Sequence, residues 1–331
     1  MKRTLMMGVA WLGLLSVPTG LLAADLPQLP NDGWVSWRVP MVAQQGDGPC
    51  CYELRGGKVG SKGCTLKREG SDGSLIWSAE PHSRSSELVV FALREQGQTR
   101  QLHGFAADCQ VKLDSPAKLL NRVDQGASLA WMDAQVEQGG NKQVRNAALM
   151  VMAQHADDQA TQRLIQRSAT GQPKRVRHDA LFWLGQARGA AGLPTVQSAA
   201  LDAGDRQTQH HALFVLSQSD LPAAATTLQR VAADVEQSAE SRGQALFWMA
   251  QSGHPDARPA IETLLRSHPS VQLQDKAVFA LSQLEQGADQ ALIAVIKGDY
   301  PRQAKKQALF WLGQSSSDEA LRFLEQFLAG Q

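Results

Sequence analysis

Between residues 148 and 314 the chain writes one apolar phrase six times: ALMVMAQ from Ala148, ALFWLGQ from Ala180, ALFVLSQ from Ala212, ALFWMAQ from Ala245, AVFALSQ from Ala277 and ALFWLGQ from Ala308. Each phrase places apolar residues at helical spacing, and the starts lie 31 to 33 residues apart. A period that short holds two helices with their turns. One such pair cannot bury both of its apolar sides, so neighbouring pairs must stack. First helices are predicted over 160–168, 195–201, 223–232 and 260–266, each followed by a polar or glycine-containing turn and then the phrase. Pro173, Pro222, Pro255, Pro259, Pro269 and Pro301 are placed at the joints, where a fixed φ and a missing donor do least harm. The pattern predicts about six helix pairs and a closing helix over 319–328, whose Arg322, Glu325 and Gln326 suit a solvent-facing side.

The texture before residue 116 is different. Residues 25–115 are rich in Gly, Ser and β-formers and lack helical periodicity. Strands are predicted over 34–39, 51–55, 64–68, 75–77 and 88–93, with a last pair around 99–105 and 109–113. Gly56, Gly57, Gly60, Gly63, Gly70 and Gly73 punctuate them, and Gly97 falls in a hairpin turn. The run 88–93 is apolar throughout, as a central strand would be. The expected division is therefore a small all-β domain at 25–115 and an all-α solenoid at 116–331.

All four cysteines, Cys50, Cys51, Cys64 and Cys109, fall in the β-rich part. Adjacent Cys50 and Cys51 point to opposite faces of a strand, so each is expected to reach a different partner among Cys64 and Cys109, with the assignment open. A zinc site is the rival reading, but the pair lacks the CxxC spacing that turns two thiolates onto one metal. Disulfides would brace a domain too small to have much core.

Residues 1–24 have the form of a secretory signal peptide: Lys2 and Arg3, an apolar run over 5–17, then Ala23 and Ala24. Leu22 is a mediocre residue before the cut, which leaves an uncleaved anchor as the alternative. The run is too short for a comfortable span of about 20 residues, and nothing later replaces it, so no stable membrane insertion is expected after cleavage. Without Lys2 and Arg3, 31 basic residues face 32 acidic ones, a net charge of −1. That balance recommends neither nucleic acid nor a membrane surface as a partner. The expected location is periplasmic or secreted.

The units resemble HEAT repeats, in particular the bacterial PBS-lyase-type variety. VRHDALFWLG from Val176 and VRNAALMVMA from Val144 follow the second-helix pattern of that family closely. Its basic position recurs as Arg242 and Lys305, whereas Gln209 and Gln274 replace it in two units. The resemblance implies a HEAT-like superhelix used as a protein-binding scaffold, with second helices along the inner curve. The repeat also occurs in enzymes, but the deoxyhypusine hydroxylases need His-Glu pairs for iron, and this chain has no His-Glu dipeptide. The bilin lyases work in the cytosol, and repeat-built DNA glycosylases need a basic concave face.

One row departs from the family pattern, and a second shares its helical face. Where a variable residue is usual stand Met150, Phe182, Phe214, Phe247, Phe279 and Phe310, and four residues on come Gln154, Gln186, Gln218, Gln251, Gln283 and Gln314. Both rows point away from the face that meets the first helices. One reading packs these rings on each other, with each Gln bonding a neighbouring helix end. The other makes them an apolar strip edged by carboxamides that holds a partner protein or peptide. Trp183, Trp248 and Trp311 are expected to fill gaps between helices, and the basic residues near the second-helix starts to be ordinary solvated charge. His178 and His210 occupy equivalent places in successive units. There is no Walker loop, GxSxG, HExxH or CxxC, so no catalytic set, metal or cofactor is expected. The sequence thus points to a non-enzymatic exported scaffold, with binding through the β domain as a second possibility. It leaves the oligomeric state open.

Overall fold

The computed structural model describes residues 26, 29–42, 49–55, 58–71, 73–75, 85–120, 123–138, 141–267 and 269–330. The signal peptide expected at 1–24 lies outside them, as do Gly56, Gly57, Ile76 and Trp77 of the β-rich part.

Among the described residues ten strands come first: β1 (Gly33–Pro40), β2 (Cys51–Arg55), β3 (Lys58–Lys62), β4 (Cys64–Lys67), β5 (Gly70–Ser71), β6 (Gly73–Leu75), β7 (Glu87–Glu95), β8 (Gln98–Ala106), β9 (Val111–Leu113) and β10 (Lys118–Leu119). They form a four-stranded sheet in the order β10-β1-β7-β8 and two three-stranded sheets, β3-β2-β6 and β5-β4-β9. The apolar run over 88–93 is an interior strand, as its composition predicts. Gln96 and Gly97, both at positive φ (49° and 74°), turn β7 into β8 as a two-residue hairpin. Three short strands were not anticipated, namely β3, β5 and β10. The last lies beyond residue 115 and returns to pair in parallel with β1.

Alternation along the four-stranded sheet gives it two buried faces. Val35, Trp37, Val39, Leu88, Val90, Ala92, Leu102 and Ala106 join the core of the helices, whereas Trp34, Leu93 and Phe105 join the cluster around the cysteines. The disulfides are Cys50–Cys109 and Cys51–Cys64, with Cα separations of 5.4 and 5.6 Å. Each member of the adjacent pair takes its own partner, as strand geometry required. The rival zinc reading falls away because all four sulfurs are in disulfides and no thiolate is left to ligate a metal.

The helices follow as six pairs and a closing helix: α1 (Gln125–Gln138) with α2 (Lys142–Gln154), α3 (Asp158–Ser168) with α4 (Lys174–Ala187), α5 (Gly189–Leu201) with α6 (Arg206–Ser217), α7 (Pro222–Ala233) with α8 (Ala239–Gln251), α9 (Ala257–Arg266) with α10 (Val271–Ser282), α11 (Ala288–Lys297) with α12 (Arg302–Leu312), and α13 (Asp318–Leu328). Side chains of Asn141, Asp157, Asp205, Ser238, Ser270 and Ser317 accept from first-turn amides and start six of these helices. Two helix starts differ from expectation by three residues or more: α9 begins at Ala257, which puts Pro259 in its first turn, and α5 begins at Gly189 and takes Pro194 inside it. Its glycines permit the tight entry, since a Cβ on Gly192 would lie 2.1 Å from the Leu184 carbonyl oxygen.

Successive even-numbered helices pack on each other more extensively than successive odd-numbered ones. The stack therefore closes toward the even-numbered helices, which form its inner layer. Ala148, Ala180, Ala212, Ala245, Ala277 and Ala308, the first residue of each phrase, are all fully buried. The helical part is a HEAT-like solenoid, and the β-rich part is built onto its first pair. The joint is polar as well as apolar. Trp37 Nε1 donates to Ser128 Oγ (3.0 Å), and His155 Nε2 meets the same oxygen at 2.9 Å. Because the Val151 carbonyl can only accept, the proton of His155 sits on Nδ1 (2.8 Å), and Nε2 accepts from Ser128. Arg188, buried, donates to the carbonyls of Ala153, His155 and Asp157 and to Thr161 Oγ1 (2.7 Å). It thereby caps the negative end of α2.

Candidate binding groove

Helical period places the third and seventh residues of each phrase on the inner surface. The phenylalanine rings, with the tryptophans that follow three of them, form an unbroken chain across five helices. Trp183 touches Phe182 (5.1 Å between centroids), and Phe182 stacks on Phe214 (6.5 Å). Phe214 meets Trp248 (5.0 Å), which meets Phe247 (4.8 Å), and Phe247 stacks on Phe279 (5.6 Å). Phe279 meets Trp311 (5.0 Å), and Trp311 meets Phe310 (5.1 Å). These separations suit offset and edge-on ring pairs, which add to ordinary apolar burial. Phe182, Phe214, Phe247 and Phe279 are half-buried, and Phe310 is 54 % exposed. Trp248 and Trp311 lie between rings of successive helices, and the Trp248 Nε1 is buried without a partner among the described residues.

The carboxamide row runs beside the rings. Gln186, Gln218, Gln251 and Gln314 are exposed and Gln283 is half-buried. Gln251 Nε2 reaches Gln283 Oε1 at 3.4 Å, and Gln218 and Gln283 donate to the serines beside them. Of these five, Gln251 alone bonds a residue at a neighbouring helix end among the described residues, the Gln283 side chain just past α10. The first unit is the exception. Met150 and Gln154 are buried, because β8 packs over α2 there.

At that covered end a cavity of about 930 Å³ opens between β8, the turn after β4, α2 and α4. Its apolar wall is Val144, Ala147, Met150, Phe182 and Trp183, and its strand wall runs from Arg100 to Phe105. The Asn146 amide nitrogen, in the orientation that satisfies its neighbours, donates to Asp179 Oδ2 (2.8 Å), which Arg175 also reaches (3.3 Å). His103 stacks on Phe105 (5.9 Å, 10° between planes) and meets Gln101 Oε1 at 3.3 Å. Burial lowers its pKa to about 4, so the ring is neutral at pH 7.

The equivalent histidines His178 and His210 do not meet each other. His178 stacks on His211 (4.6 Å, 9°) and bonds Thr208 Oγ1 (3.1 Å), while His210 reaches Ser241 Oγ (3.3 Å). Thr208 and His211 share a helix face and His210 does not. Burial, then the neighbouring His211, takes His178 down to about 4. Among the basic residues, Arg177 pairs with Asp205 of the next unit (2.9 Å) and Arg242 donates to the Ala232 carbonyl (3.0 Å). Hydrogen bonds from Thr208, reinforced by Arg177, hold Asp205 down at about 2. These two are structural clamps between helices, where solvated charge was expected.

The cavity was not legible in the sequence, since it exists only where the sheet meets the solenoid. Its one local signal is Gly104 inside a strand, where a Cβ would come within 2.7 Å of Val151.

No family model matches the chain, and no curated protein does. Solved structures with a similar fold include human deoxyhypusine hydroxylase in complex with glycerol, 18% identical over 62% of this chain and 78% of that one, with a TM-score of 0.26. Another is the complex of CpcE and CpcF of phycocyanin lyase from Nostoc sp. PCC7120, 19% identical over 64% and 96%, with a TM-score of 0.31. Kap121p is 10% identical over 62% of this chain and 27% of its own, with a TM-score of 0.38. These likenesses concern the helical-repeat fold alone.

Proposed function

We propose that the chain is an exported, non-enzymatic scaffold that holds a segment of a partner protein along the inner layer of its solenoid. The observation that carries this reading is the unbroken ring chain from Trp183 to Phe310, partly open to solvent and edged by carboxamides. Apolar side chains of a partner would rest on the rings, and the glutamines would bond its main chain. The export reading draws support from all four cysteines being in disulfides. Among the described residues no helix is long and apolar enough to cross a membrane.

A second reading gives the binding to the β-rich part, within a larger extracytoplasmic complex. It is favoured by one fact: four of the five phenylalanines are already half-buried against other rings. Capture of a partner from envelope extract, compared between the natural protein and Phe214→Asp with Phe247→Asp, separates the two. Lost capture with an unchanged helical circular dichroism spectrum supports the groove. Unchanged capture moves the function to the β-rich part.

A further inference from the structure

The cavity at the covered end of the groove has a strand edge for one of its walls. β8 is the outermost strand of its sheet, and its odd-numbered residues face bonded partners on β7. The main-chain groups of its even-numbered residues therefore point away from the sheet. Two of these outward groups are already used: the Arg100 carbonyl accepts from Asn141 Nδ2 (3.0 Å), and the Ala106 amide donates to the Pro49 carbonyl (2.8 Å). Between them the amides and carbonyls of Leu102 and Gly104 find no partner among the described residues, and both residues line the cavity. Gln101, His103 and Phe105 from the other face of β8 line it too, as an opening along the strand edge requires.

Unpaired edge groups are a template for another strand. The tract from Arg100 to Ala106 covers about 20 Å at the strand rise, and a cavity of about 930 Å³ lies along it. We infer that this edge takes an extended peptide segment of the partner protein as a fifth strand, paired with Leu102 and Gly104, its alternate apolar side chains resting on Ala147, Met150, Phe182 and Trp183. A small molecule fits these observations less well, since the strand edge presents donor and acceptor pairs two residues apart, at Leu102 and Gly104, and an extended backbone repeats its own pairs at that spacing. A sheet edge from a second copy fits less well too. The site is walled by Arg68 and Glu69 on one side and by α4 on the other, which places the incoming strand between elements of this chain. Phe182 is shared between the cavity and the ring chain, so the inserted strand leads directly onto the groove.

The inference deepens the scaffold reading and rests on it for the partner being a polypeptide. The test uses random octapeptides displayed on phage and selected on the immobilised full chain. The tightest peptide is then made with each backbone nitrogen methylated in turn and titrated calorimetrically. The expected pattern has a period of two: methylation of a nitrogen facing β8 weakens binding about tenfold, the equivalent of one lost hydrogen bond, and methylation of its neighbours weakens it much less. Exchange of the Leu102 and Gly104 amides slows when the peptide binds. Selection of no peptide, or a methylation profile without the alternation, overturns the inference. So does finding those two amides already protected in the free protein, which would mean that a second copy or another part of this chain occupies the edge. Failure of the scaffold reading is a separate result, shown by unchanged partner capture in the Phe214→Asp, Phe247→Asp protein whatever the methylation profile.

Discussion

Trp34 and Trp37 stand three residues apart on β1, yet they belong to two cores that are held together by different means. Trp34 sits in a cluster of eight buried residues, Trp34, Cys50, Cys51, Cys64, Leu66, Leu93, Phe105 and Cys109, half of them in disulfides. Trp37 opens a core that runs without interruption from Val35 in the sheet to Phe323 in the closing helix. The small cluster buries too little apolar surface to hold itself and relies on shortening its unfolded loops. The long one is stabilised by neighbours, each helix pair completing the next. The four-stranded sheet belongs to both because its pleat sends alternate residues to opposite sides.

The largest effect expected from breaking this contrast is on the small core. Cys50–Cys109 spans a sequence separation of 59 residues and Cys51–Cys64 one of 13. Loop-closure entropy assigns them about 4 and about 3 kcal/mol. Replacing Cys50 and Cys109 by Ala should therefore release the Trp34 cluster, seen as faster amide exchange in β4 and β9, while the helices beyond α4 keep their protection. Equal loss of protection in both parts would show that the two cores do not fold separately.

A cut in the long core is next. Leu213, fully buried in α6, should cost about 3 kcal/mol as Leu213→Ala, and the loss should spread to the units on either side. Chemical denaturation with a probe in each part measures whether the cysteine cluster is spared, as nearest-neighbour stabilisation requires.

The joint between the cores comes third. Ser128→Ala removes the common partner of Trp37 Nε1 and His155 Nε2 and should cost about 2 kcal/mol, leaving both buried and unpaired. The same joint predicts a pH dependence. Burial holds His155 down at about 4 in the fold, against 6.5 as its ordinary value. The unfolded chain therefore binds the extra proton between those values, so stability is complete above pH 6.5 and falls as the pH drops toward 4. The melting temperature should decline less steeply over that interval in His155→Gln. A slope identical to that of the natural protein would remove His155 from the account.

The smallest effect is expected at the rim. Arg38 and Glu87 form an exposed pair (3.0 Å), and Arg38→Ala should change stability by less than about 0.5 kcal/mol. A larger change in thermal unfolding would reveal a role for this end of the sheet beyond the visible contact.

Most of the helical architecture was legible from six repeats of one phrase, because period and length constrain what a short helix pair can do. Pairing rules for adjacent cysteines likewise narrowed the disulfides to two arrangements, although choosing between them needed the sheet to bring Cys109 beside Cys50. Short-range reading failed where the cause was long-range: β10 exists because β1 is there to receive it, and α5 starts early because α4 leaves room for Gly192 and no side chain. The alanine, phenylalanine and glutamine rows are local consequences of a 3.6-residue turn, so the sequence by itself determined which residues would face inward. Which of them stay open to a partner was decided only in three dimensions. Met150 and Phe310 hold the same place in the phrase, yet one lies 6 % exposed beneath β8, at the floor of the cavity, and the other 54 % exposed, because burial depends on what the rest of the chain lays on top.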